Sequence, residues 1–374
     1  MSANVPFLEL APIYEELRNE IDAAALRVLH SGWFVGGPES DRFEAAFAAY
    51  TGAAYAVGVG NGLDALHLVL RAMDVGPGDE VIVASNSFIA TMLAVSMTGA
   101  KPVMIEPNPT TYNIDHSLLE DAITSRTKVI LPTHLYGQPA DIDALLEITR
   151  RHGIRLVEDA AQAHGARYRG RRVGAHGDAV CWSFYPSKNL GAAGDGGGVT
   201  TNDPTLAERV RTLGNYGSAQ RYVNIVKGMN SRLDPLHAAI MDVKLPHLDA
   251  WNARRARIAA RYLEGLQNCG LVLPHVPDWA SPAWHLFVVH TPHRDALRTA
   301  LAAEGVATQI HYPIPPHRQA AYAELGLTEG SFPIAERLAA ETVSLPIGPH
   351  MPDANVDRVI DAIRRWAATT RIGA

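Results

Sequence analysis

The sequence predicts an α/β fold, with a large, mostly parallel seven-stranded sheet followed by a smaller C-terminal α+β domain. From about residue 54, short apolar runs alternate with segments of helical periodicity, the pattern of a parallel sheet covered by helices on both faces. The length of 374 residues favours two domains. The composition, with 47% hydrophobic and 19% charged residues, is that of a globular protein and excludes disordered, fibrous and disulfide-scaffold classes.

Seven strands are predicted where apolar runs follow turn or helix signals. They span residues 55–59, 80–84, 102–105, 128–131, 155–157, 180–183 and 198–201. A helix is predicted over residues 61–73, because large apolar side chains recur there at steps of three and four residues.

The pattern changes after Asp234-Pro235, where a capping Asp precedes a Pro at the first helical position. A long helix is predicted from there to about residue 266, and its many arginines are expected to face solvent or a partner subunit. The remaining predicted elements are a strand at 284–290, a helix at 295–304, a strand at 308–311 and a helix at 353–369. We place the domain boundary near residue 245, which gives a large domain of residues 1–245 and a small domain of residues 246–374.

Charge and cysteine content limit the possible partners and the compartment. The net charge of −6 argues against binding to nucleic acid or anionic lipid, which needs clustered Lys and Arg. Cys181 and Cys269 have neither disulfide nor metal spacing. The N-terminus lacks the pattern of a signal peptide, and no apolar run is long enough to span a membrane. A cytoplasmic protein without a membrane partner is therefore expected.

Residues 58–62, GVGNG, lie between a predicted strand and a predicted helix, where backbone N–H groups and the helix dipole favour a phosphate. A dinucleotide site is an alternative, but the third glycine comes one residue early for GxGxxG and no acid ends the second strand. A plain tight turn also accounts for these glycines.

Glu158 and Asp159 follow the fifth predicted strand. Because side chains alternate across a strand, the two face opposite ways and do not form a carboxylate pair. An acid at the carboxyl end of a parallel strand points into the crevice where ligands bind. The alternative for Asp159 is that it caps a following helix.

Lys188 follows the next strand in a glycine-rich loop. Burial there would lower the pKa of its amine and make the amine nucleophilic, whereas a solvated surface lysine is the alternative. A phosphate-binding turn, an acid at a neighbouring strand end and a lysine beyond the next strand are the parts needed to hold pyridoxal phosphate.

Three motifs then resemble the DegT-type nucleotide-sugar aminotransferases, which are fold-type I pyridoxal-phosphate enzymes. The motifs are residues 183–198, residues 158–165 (EDAAQAHG) and residues 228–234 (GMNSRLD). The resemblance extends from Gly32-Trp33 through residues 134–137 (HLYG) to residues 310–313 (IHYP), nearly the whole chain. It implies the fold predicted above and pyridoxal phosphate as cofactor.

The resemblance also implies roles for the residues around the cofactor ring. Lys188 matches the Schiff-base lysine, Asp159 the carboxylate on the pyridine nitrogen, and Gln162 the amide beside the ring hydroxyl. An ionised Asp159 would keep the pyridine nitrogen protonated, which makes the ring an electron sink. Lys188, once released, would carry the proton between carbon atoms.

Five further residues match cofactor contacts of the family. Ser183 and the backbone of Gly62 and Leu63 match the phosphate site, and Phe88 matches the aromatic ring on the pyridine face. Leu63 stands where the family often has Ser or Thr, so the backbone must supply that contact. Asn230 matches a phosphate contact that family members donate from the neighbouring subunit, which implies a homodimer with shared active sites.

Tyr185, Tyr222, His311 and Tyr312 resemble sugar-facing positions of the family's 3-aminotransferases; packing at a domain or subunit seam is the alternative for each. His311 and His317 suggest a metal only weakly, because the Pro-rich segment between them contains neither Cys nor an acid. No metal is expected.

The activity implied is transfer of an amino group from L-glutamate to the 3-keto group of a dTDP-linked 6-deoxyhexose. Residues 184–191 (FYPSKNLG) and 194–197 (GDGG) resemble the 3-amino branch, whereas the 4-amino branch more often has His after the Phe and Glu between the glycines. A 4-keto-sugar or cyclitol aminotransferase is an alternative. A sugar 3-dehydratase of the same fold would carry His in place of Lys188, and a non-enzymatic regulator would not need the catalytic set. The nucleotide, the stereochemistry at carbon 4 and the pathway stay open.

Overall fold

A computed structural model describes residues 4–370. The α-helices in this range are α1 (Ala11–Glu16), α2 (Arg18–Ser31), α3 (Pro38–Thr51), α4 (Gly62–Ala72), α5 (Ile89–Met97), α6 (Leu119–Ala122), α7 (Ile142–His152), α8 (Pro204–Gly214), α9 (Pro235–Lys244), α10 (Leu248–Gly265), α11 (Arg294–Ala303), α12 (Pro333–Glu341) and α13 (Asp353–Thr370). None of the helices within residues 4–370 has the length and apolar character needed to cross a membrane.

The strands are β1 (Tyr55–Val59), β2 (Glu80–Ala84), β3 (Lys101–Ile105), β4 (Thr127–Leu131), β5 (Arg155–Asp159), β6 (Arg167–Tyr168), β7 (Arg171–Arg172), β8 (Ala179–Ser183), β9 (Gly197–Thr201), β10 (Ser218–Gln220), β11 (Val223–Asn224), β12 (Ala280–Ser281), β13 (Phe287–His290) and β14 (Thr342–Leu345). The main sheet has seven strands in the order β1-β9-β8-β5-β4-β2-β3. Neighbours are parallel except that β9 runs antiparallel to both β1 and β8. The predicted sheet is confirmed, with every strand within two residues of its predicted bounds.

Helices cover both faces of the sheet, and alternation along β2 shows how. Ile82 packs in one core, with residues from α3, α7 and α9. Val81 and Val83 pack in the other core, with residues from α4, α5 and α8. Since both faces are buried, each strand is a nearly continuous apolar run, as expected for a parallel sheet between helical layers.

A third core unites α10, α11, α13 and the antiparallel pair β13 and β14. The single long helix predicted after residue 235 is wrong: it divides into α9 and α10 at the 3₁₀ turn Leu245–His247, where Pro246 lacks the N–H that a continuous helix needs. This break coincides with the predicted domain boundary, which stays a prediction.

The strand predicted at residues 308–311 is also wrong. Only Gln309 forms a bridge there, with Ser344. The carbonyl of His311 accepts a hydrogen bond from the Tyr136 hydroxyl instead of joining a sheet. This segment is therefore bonded to the loop that follows β4 and carries Tyr136.

Candidate active site

The candidate site lies at the edge of the main sheet where parallel strands end. Asp159 is the last residue of β5, Lys188 follows the neighbouring β8, and Gly62 begins α4 just after β1. Since β1, β5 and β8 run in the same direction, their carboxyl ends meet at one edge, where open α/β sheets bind ligands.

The Asp159 side chain is 6% exposed and accepts hydrogen bonds from three donors. Its Oδ2 atom accepts from the hydroxyls of Thr91, at 2.9 Å, and Thr133, at 3.4 Å. Its Oδ1 atom accepts from the backbone N–H of Ala161 at 3.1 Å. Residues 160–166 form turns and irregular positions with no helix, so Asp159 caps no helix. Both carboxylate oxygens therefore have donors, which fix the side chain in one orientation.

Glu158 faces away from Asp159 into a separate buried pair. His134 accepts the Ala140 N–H at Nδ1, 3.0 Å, so its proton is on Nε2 and is donated to Glu158 at 2.8 Å. Gly177 donates a second hydrogen bond to Glu158 at 2.7 Å. Burial alone would raise the pKa of Glu158, but the hydrogen bonds from His134 and Gly177 lower it. Glu158 and Asp159 therefore do not act as a pair.

Lys188 is not a solvated surface lysine. Burial lowers the pKa of its amine to about 8, while the nearby charge of Asp159 opposes this shift. Close to neutral pH a larger fraction of this amine is therefore unprotonated and nucleophilic than in a solvated lysine. Lys188 lies in the loop between β8 and β9, residues 184–196, which we call the lysine loop. A hydrogen bond of 2.8 Å from the Lys188 N–H to the Tyr185 carbonyl closes a turn in this loop.

The structure has a helix start at Gly62, where the sequence predicts a phosphate site. Asn61 caps α4 by accepting the Asp64 N–H at 2.9 Å, so the first turn of this 11-residue helix is fixed with its free N–H groups, including that of Leu63, at the helix start. A Cβ atom at Gly62 would lie 2.7 Å from the Ser183 Cβ, so only glycine allows this approach. A helix start, a serine and a lysine side by side fit the phosphate and aldehyde of pyridoxal phosphate.

Gln162 joins the sheet edge to the C-terminal part of the chain. Its Oε1 atom accepts the Tyr136 N–H at 2.6 Å, and its Nε2 atom donates to the Tyr312 hydroxyl oxygen at 2.9 Å. The half-exposed ring of Phe88 lies 5.0 Å from that of Tyr312. His311 contacts Ser344 through Nδ1, and burial lowers its pKa to about 4, so it is neutral near neutral pH.

Besides Phe88, three predicted site residues are exposed. Tyr185 is 54% exposed in the lysine loop, and Tyr222 is 85% exposed at the turn between β10 and β11. Asn230 is exposed in the loop before α9 and bridges Asn215. Within residues 4–370 the structure shows no hydrogen bond from Tyr222 or Asn230 to Lys188 or Asp159. The roles predicted for the site residues therefore stay predictions.

Arg255 was missed as a site neighbour, because arginines on this helix were expected to face solvent. It is 2% exposed, and its Nη1 atom donates to the carbonyls of Trp284, His285 and Ile347 at 3.2 to 3.3 Å. Its spacing from the buried Trp251 and Ile258 was the available signal, since it shares their helix face.

The sequence profile of the DegT/DnrJ/EryC1/StrS aminotransferase family matches residues 15–364. The chain belongs to this family. Among relatives of the DegT/DnrJ/EryC1/StrS family, the dTDP-3-amino-3,4,6-trideoxy-alpha-D-glucose transaminase of Streptomyces venezuelae is 56% identical over 97% of this chain and 96% of its own length. The dTDP-3-amino-3,6-dideoxy-alpha-D-galactopyranose transaminase of Aneurinibacillus thermoaerophilus is 53% identical over 97% and 99%. The erythromycin biosynthesis sensory transduction protein EryC1 of Saccharopolyspora erythraea is 57% identical over 97% and 100%.

Solved structures of the family agree with this fold. The crystal structure of S. venezuelae DesV in complex with a ketimine intermediate superposes with a TM-score of 0.96 at 55% identity, covering 98% of this chain and 99% of DesV. NtdA from Bacillus subtilis, solved with bound pyridoxamine phosphate, has a TM-score of 0.91 at 30% identity, covering 98% and 86%. The family is pyridoxal-phosphate-dependent, so the predicted enzyme class, fold and cofactor are confirmed.

Proposed function

We propose that this aminotransferase transfers the amino group of L-glutamate to the 3-keto group of a dTDP-linked 6-deoxyhexose. The observation that most supports this reaction is the buried amine of Lys188, which lies within reach of the charge of the buried Asp159 carboxylate. The substrate class is supported by the two dTDP-3-amino-sugar transaminases, which are 56% and 53% identical to nearly the whole chain.

When bound, pyridoxal phosphate supplies an aldehyde for an amine and a ring that accepts electrons. Lys188 is the residue placed to hold the aldehyde, because burial keeps part of its amine unprotonated. Asp159, fixed by its three donors, is placed to hold a proton on the ring nitrogen. The start of α4, with Gly62, Leu63 and Ser183, is placed to bind the phosphate.

Once free, Lys188 also serves as the base that takes the α-proton of the donor amino acid. A lysine of pKa about 8 is half unprotonated at about pH 8, so either protonation state is accessible near physiological pH, which suits a group that must both accept and return a proton. One side chain thus acts as tether and as proton carrier.

Tyr312 and His311 are proposed to contact the sugar, with Tyr185 at the exposed side of the lysine loop. Tyr312 is fixed by Gln162, and its buried hydroxyl keeps a raised pKa, so it stays protonated and can donate a hydrogen bond. His311 is neutral and can accept or donate at its free ring nitrogen. Neutral polar groups suit a keto-sugar, which carries no charge on its ring.

The active enzyme is proposed to be a cytoplasmic homodimer with shared active sites. Exposed apolar side chains cluster at Trp33, Phe34 and Val35 and along residues 222–226. Asn230 is anchored beside this second patch, because the next residue, Ser231, accepts the Gly60 N–H at 2.9 Å and donates to Asp64 at 2.6 Å. Asn230 and Tyr222 are exposed and, in the range 4–370, form no hydrogen bond with Lys188 or Asp159 of their own chain, so a neighbouring subunit could use them.

The acceptor is tested by incubating the purified enzyme with pyridoxal phosphate, ¹⁵N-labelled L-glutamate and a panel of nucleotide keto-sugars, and locating the nitrogen by NMR. We expect label on carbon 3 of a dTDP-sugar, with a kcat/KM at least about 10-fold above that for the 4-keto isomer, since a site built for one polar contact pattern rejects another. Preferential labelling of carbon 4, or of a cyclitol, would contradict the proposal.

A further inference from the structure

Asn189, the residue directly after Lys188, is buried and makes three hydrogen bonds with three other residues. Its Nδ2 atom donates to the Asn252 Oδ1 atom and to the Ala283 carbonyl, both at 2.8 Å. Its Oδ1 atom accepts from Nδ1 of His285 at 3.1 Å. At 6% exposure, none of these bonds is replaced easily by water.

The protonation of His285 fixes the direction of this network. His285 is 8% exposed, and burial together with the positive charge of Lys188 holds its pKa well below the ordinary value, so its ring carries one proton. One end of the Asn189 amide faces two acceptor oxygens, those of Asn252 and Ala283, so this end is the donor Nδ2. The atom that faces His285 is therefore the acceptor Oδ1. The single proton of His285 therefore lies on Nδ1 and is donated to Asn189.

Two of the three partners of Asn189, Asn252 and His285, are themselves held on α10. Asn252 lies on this helix and donates from Nδ2 to the His164 carbonyl at 2.8 Å. Arg255, one turn later, donates to the carbonyls of Trp284 and His285 at 3.2 Å. The lysine loop is thus fastened through one amide to a helix and a segment that belong to the C-terminal part of the chain.

We propose that Asn189 is a positioning residue for Lys188: its amide holds the backbone of the lysine loop on α10 and on residues 283–285, so that the lysine amine stays at the site of the cofactor aldehyde. This inference rests on the proposed role of Lys188. Without the amide, the loop loses three bonds one residue away from the reacting group, and an error of about 1 Å in the position of such a group can slow its reaction on the order of 100-fold.

Asn189→Ala tests this with two probes of the cofactor-free protein. The first is the rate at which Lys188 bonds to pyridoxal phosphate, followed by visible absorbance. The second is the Kd for pyridoxamine phosphate, which has no aldehyde and forms no bond with lysine. We expect the bond to form at least about 10-fold more slowly, with the Kd for pyridoxamine phosphate within about 2-fold of the wild-type value.

The matched control is Asn113→Ala, which removes a buried amide with the same set of bonds elsewhere. Asn113 is 2% exposed, donates to the carbonyls of Gln138 at 3.0 Å and Pro139 at 3.1 Å, and accepts the Leu135 N–H at 2.9 Å. We expect a comparable loss of thermal stability but a normal rate of bond formation. Should Asn189→Ala not fold, Asn189→Asp keeps the shape and the acceptor while removing both donated bonds, and the same slow bond formation is expected.

A normal rate of bond formation in the Asn189 variants would overturn the inference. The inference would also be overturned if Asn189→Ala weakened pyridoxamine phosphate binding as much as it slowed bond formation. The same holds if Asn113→Ala slowed bond formation as much as Asn189→Ala, since either result shows a general structural role. If the wild-type protein itself forms no bond with pyridoxal phosphate at Lys188, both the proposed function and this inference are wrong. A defect confined to the Asn189 variants cannot produce that result, so the two failures are distinguishable.

Discussion

Two ionisable side chains of opposite tendency define the site at the scale of residues. Burial lowers the pKa of Lys188 to about 8, while Asp159 accepts hydrogen bonds from Thr91, Thr133 and Ala161. A partly unprotonated amine thus lies near a carboxylate that is fixed by its donors. This is the pair of groups that holding an aldehyde and protonating a pyridine require.

Asp159→Asn removes the negative charge and keeps the size of the side chain. We expect kcat to fall on the order of 100-fold or more, because loss of one electrostatic group from a preorganised site commonly costs about 3 kcal/mol. Steady-state kinetics measure this, with Asp121→Asn on the surface as the control. A near-normal kcat in Asp159→Asn would refute the role.

Bond formation between Lys188 and pyridoxal phosphate is expected to depend on pH with a midpoint near 8. Burial lowers the lysine pKa from 10.5 to about 8, so the reactive unprotonated amine is already abundant at that pH and becomes scarce below it. Stopped-flow absorbance of the cofactor-free protein between about pH 6 and about pH 10 gives the midpoint. A midpoint near 10.5 would show that the amine is solvated.

Lys188, Asp159 and Gln162 could be singled out from the sequence because each lies in a continuous motif. Their supporting residues could not, because these contacts join distant segments. Thr91 is 68 residues from Asp159, and His285 is 96 residues from Asn189. Arg255 was wrongly predicted to be exposed for a related reason. A charged residue is usually exposed, and the backbone carbonyls that bind Arg255 come from segments distant in the chain.

At the scale of elements, the start of α4 is proposed to bind the phosphate. Gly62→Ala would place a Cβ atom 2.7 Å from the Ser183 Cβ, a distance at which one of the two segments must move. We expect the Kd for pyridoxal phosphate to rise at least about 10-fold with little change in secondary structure. Equilibrium titration of the cofactor measures the Kd.

Gly76→Ala is the control for this substitution. A Cβ atom there would meet its nearest neighbour, the Thr98 carbonyl oxygen, at 3.9 Å, which is ordinary contact. Cofactor affinity should be unchanged in Gly76→Ala. Equal affinities for both variants would show that α4 does not approach the phosphate.

The strands of the main sheet were predictable because each is a short apolar run between turn or helix signals. The C-terminal elements were less so. The segment at 308–311 has the composition of a strand, but the carbonyl of His311 accepts a hydrogen bond from Tyr136, far away in the chain. The break at Pro246 carried a local signal, whereas the contact of residues 311 and 312 with the site did not.

At the scale of the whole molecule, each active site is predicted to use two chains. Lys188→Ala and Asn230→Glu chains, each inactive alone, are mixed and allowed to exchange subunits. One site of the heterodimer then carries both defects and the other neither, so activity should return to about half of the wild-type value per heterodimer. If mass spectrometry confirms exchange and activity stays absent, the shared-site arrangement is refuted.

The central claim is that Lys188 holds pyridoxal phosphate, and borohydride reduction followed by peptide mapping tests it most directly. Lys244 is an internal comparison, because burial lowers its pKa also to about 8 while its amine donates to the Gly191 carbonyl at 2.7 Å. We predict a yellow protein whose reduced cofactor adduct lies on the peptide containing Lys188. An adduct on Lys244 or another residue, or a protein that takes up no cofactor, would contradict the claim.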